Sequence, residues 1–124
     1  MTPWFALSGL FGATAVITGA VSAHADLSDY GRELIDKAVQ YQMWHALVIF
    51  GIAVFLKSHT SKILTISGVF FTAGILLFCG SLYSLGFRET SLFAMSAPIG
   101  GSCFILGWLS ILAYGLTSMR SSAD

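Results

Sequence analysis

Charge is what this chain has least of. Only 10% of its 124 residues are Asp, Glu, Lys or Arg, against about 25% in an ordinary soluble domain. With 56% hydrophobic residues and a positive mean hydropathy, a soluble chain of this length could not hide its apolar surface, because small domains bury only part of what they expose unfolded. Lipid removes that difficulty. A formal net charge of zero and no basic tract argue against nucleic acid as a partner and against strong attraction to anionic lipid. Cysteine is also scarce. Cys79 and Cys103 do not make a disulfide framework. Both lie in apolar runs, where free Cys acts as a small hydrophobe, although similar depth on neighbouring helices would also admit a redox pair.

What remains is apolar sequence in four blocks. A spanning helix needs about 20 mostly apolar residues, and such runs occur at about 4–23, 38–56, 63–85 and 96–117. None contains Asp, Glu, Lys or Arg. The expectation is an all-α integral membrane protein, a single domain over 1–124 built as a four-transmembrane-helix antiparallel bundle, since short connections make consecutive spans antiparallel neighbours. The first connection carries Asp26, Asp29, Arg32, Glu33, Asp36 and Lys37, with Leu27, Tyr30, Leu34 and Ile35 at near-helical spacing. That pattern suits a short interfacial helix between helices 1 and 2. Pro98 is expected to open the fourth helix, where its missing N–H costs nothing.

Ala23-His24-Ala25 resembles the end of a secretory signal peptide, but Met1 to Phe5 carries no Lys or Arg, so the first span is expected to be retained. Lys57, Lys62 and Arg120 share one side with the N-terminus, and Arg32, Lys37 and Arg88 lie on the other. The positive-inside rule is therefore tied. The compact basic loop tips the expectation towards both termini in the cytoplasm.

Helices in lipid associate through small residues that let backbones approach. Ser8, Gly12 and Gly19 in the first span, Gly80 in the third, and Pro98, Gly100 and Gly101 in the fourth are the candidate packing positions. Within the bundle or between copies, such stripes serve association. Ser8-Gly9-Leu10-Phe11 and Ser67-Gly68-Val69-Phe70 form a faint internal echo, the trace expected of a duplicated helical hairpin.

The candidate ligand-binding residues are His24, Tyr41, Gln42, His45, Ser81 and Tyr83. Four antiparallel spans would gather them in one leaflet, with His45 roughly 10 Å below the start of its helix and Tyr41 on the same face. Polar residues inside a membrane tend to face the bundle interior. Two imidazoles would suit haem, and one would suit a quinone or a proton relay. The same residues equally suit hydrogen bonds between helices, and Trp4, Tyr41, Trp44 and Tyr83 suit an interfacial aromatic belt. No metal site is expected, since no carboxylate or cysteine joins the histidines at ligand spacing. No nucleophile–base pair and no Walker A motif is present, and a pump built on a membrane carboxylate is disfavoured. No catalytic residue and no cofactor is assigned.

Gly19-Ala20, Ala23-His24-Ala25, Tyr41-Gln42-Met43-Trp44-His45-Ala46, Gly80-Ser81-Leu82-Tyr83 and Pro98-Ile99-Gly100-Gly101 follow one another in this order. Together they resemble the bacterial family called domain of unknown function 423, which includes the animal transmembrane protein 256. The resemblance covers essentially the whole chain. It implies a small multi-pass protein of the bacterial inner membrane and no established activity. Ala97 stands where it implies Thr, so the residue before Pro98 receives no hydrogen-bonding role. The expected function is non-enzymatic, as an accessory, assembly or interaction subunit of an inner-membrane complex, with the lipid bilayer, other membrane subunits or self-association as partners. The alternative is a binding protein for haem, a quinone or a lipid, and third a small transporter or channel.

Overall fold

Two serines set where two of the helices begin. In the computed structural model, which describes residues 2–123, the Ser28 side chain accepts from Gly31 N–H at 3.0 Å and Ser61 accepts from Leu64 N–H at 3.2 Å. Each satisfies a first-turn donor that has no partner within its helix. The helices are α1 (Trp4–His24), α2 (Asp29–Leu56), α3 (Lys62–Gly74), α4 (Gly80–Arg88) and α5 (Ser96–Ala123). A π-helical turn, Ile75–Cys79, joins α3 to α4, so that Lys62–Arg88 is one continuous span. No strand occurs among the described residues. Four helical stretches are long and apolar enough to cross a membrane, and an even number of crossings puts the two ends of the bundle on one side.

The expected surface helix between the first two spans is not a separate element. It is the beginning of α2, which starts at Asp29 instead of Ala38. The reason is burial: Gly31, Leu34, Ile35 and Ala38 form one buried face, continuous with that of the span below. Of the apolar residues read as a membrane-surface stripe, Leu34 and Ile35 belong to this packing face, whereas Tyr30 is exposed. At 28 residues, α2 is about 42 Å long, longer than the ~30 Å hydrocarbon layer. The fourth span likewise runs to Ala123, beyond residue 117. Pro98 lies in the first turn of α5, as its chemistry requires.

Contacts are most extensive within two hairpins, α1 with α2 and α3 with α5, and α4 joins them through α2. The sequence echo has a structural counterpart here. Ser8 donates to Ala46 O at 3.0 Å across the first hairpin, and Ser67 donates to Gly107 O at 2.9 Å across the second. Both serines are buried. The same residue type, early in an odd-numbered span, ties each hairpin together.

The second hairpin is built from glycine–phenylalanine pairs. A Cβ on Gly107 would lie 2.6 Å from the Phe71 ring, and Gly74 lies beneath the Phe104 ring. Gly100 lies against the backbone of Phe78 in the π turn. Phe71, Gly74 and Phe78 on one helix thus meet Gly107, Phe104 and Gly100 on the other in antiparallel order. Gly31 and Gly86 make a similar close approach between α2 and α4, where a Cβ on Gly31 would lie 2.8 Å from Gly86 O. Ring-on-glycine contact supplies the dispersion and close approach that lipid solvent makes necessary.

Not every glycine serves this purpose. Gly12 has nothing within 4 Å of a Cβ position, while Gly19 and Gly80 meet only single side-chain atoms at 3.6 and 3.5 Å, and Gly101 meets Phe78 at 3.8 Å. Among the candidate packing positions, Ser8 and Gly100 hold the tight contacts.

Candidate functional site

The residues expected in one cluster divide between two faces of α2. Tyr41 and His45 are four apart and share a face, whereas Gln42 is turned about 100° from Tyr41. Gln42 and its partners face α1 and α4. Tyr41 and His45 face α5.

Gln42 is 4% exposed, and its amide is fully engaged. Its Nε2 donates to Phe11 O and to Thr14 Oγ1, both at 2.7 Å, and its Oε1 accepts from the Tyr83 hydroxyl at 2.7 Å. Because a carbonyl can only accept, Phe11 O fixes which end of the amide points at α1. Three helices are joined by one side chain. Thr14 passes its own proton to Leu10 O at 2.8 Å, which leaves its oxygen free to receive Gln42.

His45, 3% exposed, is held at both nitrogens. Nδ1 lies 2.6 Å from Tyr41 O. The carbonyl accepts, so Nδ1 carries the proton, and Nε2 presents a lone pair. That lone pair accepts from the Trp108 indole N–H at 3.1 Å; indole N–H is a donor only, so the tautomer is defined from both sides. The imidazole also stacks on Phe104, with ring centroids 3.8 Å apart and planes 14° from parallel. Each lone pair and each proton of the ring has an owner.

Ser81 forms a third, separate contact. It donates to Ser96 Oγ at 2.5 Å, joining α4 to the start of α5, and both residues are buried. His24 joins none of these groups. It is exposed at the end of α1. Ser8 reaches Ala46, beside His45, and from Ser8 to His24 is about 24 Å of helix. His24 therefore stands apart from the expected gathering, while Tyr41, Gln42, His45, Ser81 and Tyr83 lie near one another along the bundle but on different faces. His45 lies about 24 Å from the start of α2, instead of 10 Å, because α2 begins at Asp29. Two-histidine ligation of a haem does not fit: His24 is too far, and the Nε2 of His45 is taken by Trp108.

Cys79 and Cys103 are both free, the first buried and the second partly so. Cys79 Sγ donates to Ala38 O at 3.4 Å. Among the described residues, no three His, Cys, Asp or Glu side chains converge as a metal site, and no buried side-chain N or O lacks a hydrogen-bond partner.

A broad concavity lies on the His45 face. It is a groove of about 770 Å³ between α2 and α5, walled by Tyr41, Trp44, Phe104, Ile105 and Trp108, with His45 at its base. Pro98 and Gly101 line it from α5. Trp44, Ile105 and Trp108 are half or more exposed on its rim, or nearly so, at 52%, 61% and 46%. The groove therefore opens sideways from the bundle. Sequence reasoning treated Trp44 as a belt residue and passed over Phe104 and Trp108. A signal existed: Gly100, Phe104 and Gly107 at four and three apart mirror Phe71, Gly74 and Phe78 at three and four apart, which places Phe104 inward and Trp108 one turn on from it. A smaller hollow of about 290 Å³ between α1 and the third span is lined by Thr14, Gln42 and Tyr83 together with Ile75 and Leu76 of the π turn.

Arg32 has a structural role that charge counting concealed. Its guanidinium donates to Ser22 O at 2.6 Å and Ala25 O at 2.9 Å, closing the carbonyl end of α1 with a cation where the helix dipole favours one.

The sequence profile of the family described as "Protein of unknown function (DUF423)" matches residues 18–101. A "UPF0382 membrane protein" of Haemophilus influenzae is 37% identical over 119 residues, covering 94% of this chain and 92% of that protein. The "UPF0382 inner membrane protein YgdD" of Escherichia coli is 36% identical over 129 residues, covering 100% and 98%. The "UPF0382 membrane protein YwdK" of Bacillus subtilis is 39% identical over 103 residues, covering 79% and 83%. No solved structure matches the chain. With four apolar spans and these relatives, the chain is a multi-pass inner-membrane protein that belongs to the DUF423/UPF0382 membrane protein family, a family of unknown function.

Proposed function

We propose that this protein is a non-enzymatic membrane protein that holds a hydrophobic ligand in the groove between α2 and α5. The observation that carries the reading is the groove itself: about 770 Å³, walled by aromatic and aliphatic side chains, and open to the side of the bundle. Ligand pockets commonly have this size and lining. The non-enzymatic part is supported by the state of the polar groups. His45 has both nitrogens engaged, and Gln42 and Tyr83 spend their donors and acceptors on each other and on α1. His45 stabilises the groove floor, Gln42 and Tyr83 brace the opposite face of α2, and with these bonds made none of them offers a base or nucleophile to a substrate.

The test is purification of the full chain in mild detergent, followed by mass spectrometry of everything bound. A hydrophobic small molecule retained by the protein, and lost when Ser102→Trp fills the groove, supports the reading. Retention that the substitution leaves unchanged sinks it.

An accessory, assembly or interaction subunit is the second reading, favoured by a different face. Gly9 and Gly12 of α1 have nothing within 4 Å of a Cβ position, and Phe5 and Val16 on the same side are 44% and 62% exposed. Small residues flanked by larger ones suit a partner helix. A defined membrane partner lost on Gly12→Leu, with the groove substitution silent, would establish this reading instead.

A further inference from the structure

We infer that the groove ligand is a zwitterionic aminophospholipid, with a hydrocarbon chain lying between α2 and α5 and its headgroup on the charged stripe of α2 directly above. The inference rests on the hydrophobic-ligand reading and adds the headgroup.

Two neighbouring features on one helix carry it. The groove wall is mainly apolar, with the Tyr41 hydroxyl and the Trp44 indole N–H as its polar edge: the His45 lone pair belongs to Trp108, and the Ser102 hydroxyl donates to Pro98 O at 2.9 Å. What enters it is hydrocarbon. On α2, towards its start, a second hollow of about 410 Å³ is formed by Asp29, Glu33, Asp36, Lys37 and Gln40 together with Arg32. Glu33, Asp36, Lys37 and Gln40 are exposed. From Lys37 to Trp44 on the groove wall is seven residues, about 10 Å, and Lys37 stands one turn from Tyr41, on the groove side of the helix. Chain site and polar site are continuous along α2.

The charges choose the headgroup. Arg32 is committed to the carbonyls of Ser22 and Ala25. That leaves Lys37 as the stripe's cation, among the described residues, lining the same hollow as Asp29, Glu33 and Asp36. An ammonium fits the carboxylates and a phosphate fits Lys37, so a headgroup carrying both signs is matched at both ends. An anionic headgroup without an amine meets three carboxylates for one ammonium.

The experiment offers delipidated full-length protein an equimolar mixture of dioleoyl phosphatidylethanolamine and dioleoyl phosphatidylglycerol in mixed micelles and counts bound lipid by native mass spectrometry. The expected result is one phosphatidylethanolamine per chain, preferred by about fivefold or more, the effect of a single membrane-surface charge. Glu33→Lys with Asp36→Lys reverses the preference. Lys37→Gln, a milder change at an exposed site, lowers phosphatidylethanolamine retention about fivefold should the double variant fail to fold. Ser102→Trp removes both lipids. Equal retention of the two lipids, unmoved by the charge changes but abolished by Ser102→Trp, overturns the headgroup assignment and leaves the hydrophobic-ligand reading standing. Retention unaffected by Ser102→Trp, or a protein chain held in place of lipid, overturns both.

Discussion

The Trp108 indole donates to Nε2 of His45 across 3.1 Å, from α5 to α2, two helices that otherwise meet through few close backbone contacts. The bond is at once a brace for the groove and a lock on the imidazole. Removing the donor alone leaves a buried lone pair unpaired. Trp108→Phe should therefore destabilise the protein by about 0.5–2 kcal/mol, in the range of interhelical hydrogen bonds in membranes. Thermal unfolding in detergent checks this. Trp108→Phe with an unchanged midpoint would mean the bond contributes nothing.

The same lock predicts a spectroscopic result. Haemin added to the purified protein should give no Soret shift of the two-histidine type, because His45 has no free nitrogen and His24 lies at the far end of α1. A low-spin haem spectrum that disappears in His45→Ala would show that Trp108 yields to iron.

Gly100 and Gly12 should respond in opposite ways to the same substitution. A Cβ at Gly100 meets backbone atoms of Phe78, which cannot rotate aside, while Gly12 faces open space. Gly100→Ala should cost about 1–3 kcal/mol through overpacking. Gly12→Ala should be neutral or stabilising by up to about 1 kcal/mol, since Ala is the better helix former. Gly74→Ala should be intermediate, since the Phe104 ring that covers it is a side chain. Unfolding midpoints in one detergent rank the three.

Gln42 and Tyr83 should be energetically coupled. Their bond of 2.7 Å shares the Gln42 amide with two bonds to α1. A double-mutant cycle with Gln42→Leu and Tyr83→Phe should return a coupling of about 0.5–2 kcal/mol. Additive effects would assign Tyr83 to packing alone.

Arg32→Ala should loosen the end of α1 without disturbing the groove. Ala25 O and Ser22 O lose the guanidinium, Ser22 O keeping only the Ala25 N–H, and a helix end loses a favourable charge, together worth about 1–2 kcal/mol. Hydrogen exchange should rise at the last turn of α1 and at the following connection, and stay unchanged in α5.

Much of the architecture was legible because membrane solvent imposes a simple rule. Uncharged runs long enough to cross lipid become helices, and charges collect between them, which located all four spans. The start of α2 was misplaced because Asp29, Arg32, Glu33, Asp36 and Lys37 read as a break, although they occupy only one face. The opposite face, Gly31, Leu34, Ile35 and Ala38, is buried, and burial on one side suffices to continue a helix. The π turn at Ile75–Cys79 left no mark in composition, since an inserted residue changes the direction of side chains without changing their type.

The candidate site was half legible for a related reason. Tyr41, Gln42, His45 and Tyr83 stood out as polar groups in apolar runs; the side chains of Gln42, His45 and Tyr83 are bonded across helix interfaces, and Tyr41 lends its carbonyl to His45 and its ring to Phe78. Which face each one served depended on where the neighbouring helices lay. Trp108 and Phe104, which complete the His45 environment, are ordinary apolar-run residues until α5 is placed.

By itself, the amino-acid sequence determined that the chain crosses the membrane in four helices, where charge is excluded, and which family it belongs to, because these depend on composition and local order. Only the tertiary structure decided that the polar residues split into two groups, that the His45 lone pair is already spent, and that an apolar groove opens between α2 and α5. Those outcomes depend on helix register and rotation, and in lipid these are chosen by where a glycine lets a phenylalanine ring or another backbone come close.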